Sequence, residues 1–138
     1  MPSQQTCSAL LTHLHPTLSP DPWIFESIPN GSLPALDTTT LFALIQESEG
    51  ITLIKKDTSA PSVTTGTAQR FAKITLQVYS DLEAVGLTAA VSQALTERNM
   101  CANVVAALNH DYIFVPFERG AEALECLQNL SASSAVAN

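Results

Sequence analysis

The stretch RFAKITLQVYSDLEAVGLTAAVSQALTERNMCANVVAALNHDYIFVPFERGAEALECL, residues Arg70 to Leu127, reads as strand, Gly-containing loop, helix, strand, tight turn, strand, helix. Ala72, Ile74, Leu76 and Val78 alternate with Lys73, Thr75 and Gln77, the period of a strand with one buried face. Tyr79-Ser80-Asp81 breaks that pattern, and Ser80 or Asp81 is placed to cap a helix start. Apolar residues then recur at Ala84, Leu87, Val91, Ala94 and Leu95, a helical spacing that leaves Ser92, Gln93 and Glu97 wet. Arg98-Asn99 suits a helix end, because Asn tolerates the left-handed conformation and Arg the negative end of the dipole. Two strands follow, Cys101 to Leu108 and Tyr112 to Phe117, with a short hairpin turn at Asn109-His110-Asp111. A final helix is expected from Arg119 to Asn129, burying Ala123, Leu124 and Leu127.

This βαββα order resembles the ACT domain, a ferredoxin-like module. The resemblance is carried by DLEAVGLTAAV (81–91), by NMCANV (99–104) and by YIFVP (112–116). It is nearest in pattern to the ACT domains of aspartate kinases and to small ACT-containing proteins of unassigned function. In the latter a segment similar to LFALIQESEGITLI (41–54) precedes the ACT unit. The resemblance implies an α+β fold of ferredoxin-like βαββαβ units that bind small ligands, mostly amino acids.

Residues 1–56 have their own order. Residues 5–14 form a short amphipathic helix that Pro16 and Pro20-Asp21-Pro22 stop. Trp23 to Ile28 is a strand, and Pro29-Asn30-Gly31-Ser32 a turn. Ser32 to Leu36 is a weak edge strand broken by Pro34. Residues 39–48 are expected to be helical, with Leu41, Leu44 and Ile45 inward and Gly50 as terminator. Ile51 to Lys56 is a strand. Residues 57–69, rich in Ser and Thr, are a flexible linker. Residues 131–138 are small and polar, and are expected to be a disordered tail. The first half, read as αββαβ, lacks an opening strand. The ACT domain at 70–130 lacks a closing one. We therefore expect two ACT-like units in tandem that share or exchange strands, with Ile51–Lys56 and Arg70–Val78 at the junction and Arg70–Val78 central.

Composition narrows the function. With 138 residues and 46% hydrophobic content, the chain can bury a core without disulfide or metal staples. A net charge of −7 with only six basic residues disfavours nucleic acid and anionic membranes, which need clustered Lys and Arg. Cys7, Cys101 and Cys126 are odd in number and irregular in spacing, and read as reduced thiols. No signal-peptide pattern and no membrane-spanning run is seen, so the expected location is cytoplasmic. No nucleophile motif, metal cluster or phosphate loop is evident, and neither metal nor cofactor is expected.

The candidate site follows from backbone chemistry. Free amides at a helix start attract a carboxylate. Gly86 allows close approach. Asp81 suits an ammonium group, and Asn103 offers both a donor and an acceptor. Such a set fits a zwitterion. The resemblance implies ligand contacts at this loop and the neighbouring strand, namely Ser80, Asp81, Val85, Gly86, Leu87 and Asn103, in a pocket between paired units. Glu83 departs from the small or Pro-like residue frequent before the Gly elsewhere in the family. Trp23, Phe25, Phe114 and Phe117 exceed what one small sheet face needs, and a homodimer is expected. Two alternatives stay open: acid–base catalysis around His110, Asp111 and Tyr112, flanked by Glu118 and Arg119, and a ligand-free interaction module.

Overall fold

Alternation along Phe71–Leu76 sorts the sheet into two unlike faces: Ala72, Ile74 and Leu76 are buried on one side, while Phe71, Lys73 and Thr75 turn to the other. The computed structural model describes residues 11–29, 35–58, 69–77 and 86–136. Their elements run β1 (Pro16–Leu18), β2 (Trp23–Pro29), β3 (Leu41–Glu47), β4 (Gly50–Lys56), β5 (Phe71–Leu76), α1 (Leu87–Glu97), β6 (Asn103–Ala106), β7 (Asp111–Pro116), a 3-10 turn (Phe117–Arg119) and α2 (Gly120–Val136).

Among the described residues the strands form one seven-stranded antiparallel sheet, ordered β3-β4-β2-β5-β7-β6 with β1 alongside β5. β5 is central, as expected. One edge pairs with β7 over its whole length, from Phe71–Pro116 to Leu76–Asp111. The other edge takes two strands of the first unit, β1 and β2. Pro16, Thr17 and Leu18 face Leu76, Thr75 and Ile74, and Trp23 faces Phe71. The closing strand that the second unit lacks is thus supplied by β1. Pro16 has no N–H to donate, which suits the first residue of a strand lying outside the main path. β2 then leaves β5 and pairs fully with β4, which carries β3 on its far side.

The helices cover one face. Val91 and Leu95 of α1 and Ala123, Cys126 and Leu127 of α2 close over Ala72, Ile74, Leu76, Ile113 and Val115, joined by Leu11 and Leu14. Burying some fourteen apolar side chains here, at about 25 cal/mol per Å², is the main source of stability. The opposite face holds an aromatic cluster around Trp23, Ile54 and Phe114, with Phe42, Phe71 and Tyr112 against it. Phe114 is fully buried and meets Trp23, Phe25 and Phe42 edge-on. No helix among the described residues is long and apolar enough to cross a membrane.

Several expectations are corrected. Residues 39–48 are not a helix. Leu41–Glu47 is a strand hydrogen-bonded to β4, and Ser48-Glu49 makes the tight turn between them. The apolar run at 41–45 satisfies both periods. Pairing with Gly50–Lys56, rich in β-branched Ile and Thr, decides for the strand. Gly50 is not a helix terminator: its φ of +149° opens β4 opposite Pro29, where a Cβ would lie 2.2 Å from the Ile28 carbonyl oxygen. α1 begins at Leu87 with Gly86 in the capping position, five residues beyond Asp81, and Ser80 and Asp81 themselves lie outside the described residues. α2 continues to Val136, so residues 131–136 are helical rather than a disordered tail. Ser131 Oγ donates to the Thr12 carbonyl at 3.0 Å, and Ser134 Oγ to that of Leu130 at 2.9 Å. Cys101 is exposed, while Cys126 is buried. Most of the expected linker at 57–69, of the turn at 29–32 and of the edge strand at 32–36 lies outside the described residues.

Asn99 does adopt the left-handed conformation, at φ 54°. The hairpin between β6 and β7 closes through a hydrogen bond from the Ala107 N–H to the His110 carbonyl.

Candidate functional site

Gly86 sits at φ 95°, ψ −18°, a left-handed conformation that favours glycine, and its carbonyl accepts from the Ala90 N–H. Among the described residues no side chain hydrogen-bonds the helix start, and the first turn holds no acidic residue. The amides of Leu87, Thr88 and Ala89 therefore point out of the helix end without an intrahelical partner, next to the positive end of the dipole. Leu87 anchors this end, its side chain buried against the helix-side core. Ser80, Asp81 and Val85 lie outside the described residues. Asn103 opens β6, is exposed, and pairs with Phe114 on the helix-free side of the sheet. The structure thus places Gly86 and Leu87 together on the helix side and Asn103 at the edge strand.

The far end of α1 is held by a different device. Arg119 donates through Nη1 to the Asn99 carbonyl at 2.9 Å and through Nη2 to the Arg98 carbonyl at 3.0 Å. It also grips both carboxylate oxygens of Glu122. The helix C-terminal carbonyls are satisfied from the start of α2, which fixes α1 and leaves its N-terminus presented. The Arg119 hydrogen bond holds Glu122 below the usual carboxylate range.

His110, Asp111 and Tyr112 follow one another into β7. Strand alternation sends Asp111 and Tyr112 to opposite faces: Asp111 is buried opposite Leu76, while Tyr112 packs edge-on against Phe42, ring centroids 4.7 Å apart. His110 meets Tyr112 edge-on at 6.4 Å. Two consecutive strand residues cannot converge on one substrate atom from opposite sides of a sheet. Among the described residues no group of three or more His, Cys, Asp or Glu is placed to hold a metal. The Cys126 thiol is pushed up by burial, which disfavours the reactive thiolate.

The sequence reading missed two features. A cavity of about 170 Å³ opens on the first unit, lined by Glu26, Leu36, Asp37, Leu41, Leu53, Lys55 and neighbours. Its lysine is engaged, Lys55 Nζ lying 2.5 Å from Glu26. The second feature is Lys73, whose Nζ stands 4.0 Å from the Trp23 ring centroid, 5.0 Å from Phe42 and 5.6 Å from Tyr112. Burial pushes Lys73 below the usual lysine range, Lys56 adds repulsion, and Asp21 partly offsets both. The signal was the parity of Phe71, Lys73 and Thr75 in β5. Only the register with Trp23 and Tyr112 reveals the company Lys73 keeps.

Known proteins share this architecture. Sequence models of the ACT domain match residues 3–71 and 67–129. No curated protein sequence matches the chain. Among solved structures, a protein of unknown function from Vibrio cholerae, described as a possible transport protein, is 36% identical with a TM-score of 0.70. That match covers 87% of this chain and 92% of the other. The ligand-free regulatory subunit of aspartate kinase from Thermus thermophilus is 14% identical, with a TM-score of 0.59 over 83% of this chain and 95% of that one. A protein from Agrobacterium tumefaciens is 11% identical, with a TM-score of 0.56 over 80% and 81%. The two more distant matches speak to the fold alone. The chain therefore belongs to the ACT domain family, as two units in tandem sharing one sheet, and that membership points to a regulatory, small-ligand-binding role.

Proposed function

We propose that this chain is a regulatory protein that binds a small zwitterion, most simply an amino acid, and has no catalytic activity of its own. The observation that carries the reading is the start of α1. There a left-handed Gly86 and three amides without an intrahelical partner stand with no side-chain cap among the described residues, in a chain built of two ACT units. The amides suit the ligand carboxylate. Asp81, five residues before Gly86, supplies the charge for its ammonium, and Ser80, Val85 and Leu87 complete the proposed contacts, while Asn103, on the helix-free side of the sheet, reaches the ligand only from the paired unit. The protein would work in the cytoplasm as a homodimer, with the ligand between units.

A thermal-shift screen of the twenty amino acids tests this. A ligand that binds only the folded chain stabilises it by mass action, by about 2.7 kcal/mol at one hundred times its Kd. At least one amino acid should raise the melting temperature saturably. A flat screen contradicts the reading.

A further inference from the structure

The helix-free face of the sheet holds two hydrogen-bond donors with no acceptor among the described residues. The Trp23 indole Nε1 is buried and unbonded. The Lys73 ammonium, at 4.0 Å from the same ring, forms no ion pair or side-chain hydrogen bond among the described residues, only ring-face contacts. Of the five other lysines and arginines, four are in ion pairs: Lys55 with Glu26, Lys56 with Asp21, Arg70 with Asp57 and Arg119 with Glu122, while Arg98 has none among the described residues. In a chain of net charge −7, an ammonium without a direct ion pair among the described residues, in a half-buried aromatic setting, is unusual placement. A buried N–H left unmade and a partly desolvated cation both cost free energy. One acceptor with negative charge relieves both.

We propose that Lys73 and the Trp23 indole N–H form a second ligand site, which takes the carboxylate of a small organic acid with its apolar body against Phe42 and Tyr112. The chemistry selects the class. A single ammonium and a single N–H match two carboxylate oxygens, whereas a phosphate dianion would keep most of its oxygens unpaired. The flanking rings, Trp23–Phe42 at 6.1 Å and Phe42–Tyr112 at 4.7 Å, give an apolar wall. An amino acid is disfavoured here, because its ammonium would face Lys73 and, beyond it, Lys56 at 6.0 Å from the Trp23 ring. The site is thus separate from the one at α1. Reaching the buried N–H requires a neighbour to move, and Lys73, held by ring faces alone, is the side chain free to do so.

Trp23 is the only tryptophan in the chain, so its emission reports the site directly. The full chain is titrated with sodium benzoate, with benzamide, glycine and inorganic phosphate as comparisons. Benzoate should change the emission saturably, and the other three should not. Lys73→Met, which keeps the stem and removes the charge, should weaken benzoate by about tenfold or more, the scale of one charge-assisted hydrogen bond. Lys73→Arg should retain binding, and Asp81→Ala should leave it unchanged, which separates this site from the amino-acid site. Circular dichroism checks that Lys73→Met folds; if it does not, Lys73→Gln carries the same comparison. No saturable benzoate response, an undiminished response in the charge-removing variant, or an equal response to benzamide or phosphate overturns the proposal.

Discussion

Arg70 donates from Nε to Oδ2 of Asp57 at 2.6 Å, tying the residue after β4 to the residue before β5 and so the first unit to the second. Both side chains are largely shielded, at 28% and 10% exposure. The backbone continues the tie: the Asp57 N–H donates to the Pro22 carbonyl, and the Phe117 N–H to that of Arg70. One clasp thus holds β2, β4, β5 and the end of β7 in register, whatever path residues 59–68 take between them.

Removing one partner leaves the other charged and partly desolvated. Arg70→Met is expected to cost about 1.5–3 kcal/mol, as for a hydrogen bond to a charged group. Asp57→Asn in the same background should cost less than it does alone, because the pair couples. Urea unfolding of the four chains measures both quantities. Strict additivity would mean that the clasp contributes nothing beyond its separate residues.

Gly50→Ala is expected to destabilise by about 1–3 kcal/mol, the range for a non-glycine residue forced into a strained conformation. A methyl group there meets the Ile28 carbonyl oxygen at 2.2 Å, and that oxygen is backbone and cannot swing away. A loss below about 0.5 kcal/mol, within the range of ordinary surface changes, would contradict the placement of the β3–β4 turn. The same reasoning bears on Gly86. A valine at φ 95° is strained, so Gly86→Val would confound ligand binding with folding, and Asp81 is the better residue to vary.

The pH dependence of stability should carry two signatures. Glu122 has its folded pKa lowered by the Arg119 hydrogen bond, so its contribution is present above the unfolded glutamate value and lost as pH falls through the folded one. Arg119→Ala should flatten that acid limb and speed amide exchange at the C-terminal end of α1. Lys73 behaves oppositely. Burial lowers its folded pKa below 10.5, so between that value and 10.5 the unfolded chain holds more protons and stability rises with pH. Lys73→Met should abolish that alkaline rise. Unfolding curves across pH in the wild-type and variant chains read both limbs.

Phe25 and Ile45, both exposed, lie beside the aromatic cluster on one sheet face and favour pairing of two chains. Light scattering at high concentration should return twice the 14.7 kDa chain mass. A mass that stays at 14.7 kDa would leave the ligand pocket to be made within one chain.

The second unit was readable because each of its elements has a single periodic solution. Phe71–Leu76 alternates without exception, α1 has one apolar stripe, and Asn99 ends it in the one conformation few residues tolerate. The first unit was less legible for the same reason inverted. Leu41–Glu47 fits helix and strand periods equally, and only its partner Gly50–Lys56 decides. Pro16–Leu18 is too short and too proline-marked to signal a strand, and exists because β5 has an open edge. Ser131–Ser134 reads as polar tail because the carbonyl of Thr12, 119 residues away, is invisible in the local sequence. Gly86 could be singled out from its place before the helix, whereas the Lys73–Trp23 contact depends on register across three strands and could not.

The most direct test of the account is calorimetric titration of the wild-type and Asp81→Ala chains with the amino acid that gives the largest thermal shift. The wild type should bind saturably, and Asp81→Ala should bind more weakly by about 1.5–3 kcal/mol, the worth of a hydrogen bond to a charged group. Asp81→Ser should be as weak, because it restores a hydroxyl and not the charge. Unchanged affinity in both variants would contradict the assignment of the ligand site to the start of α1.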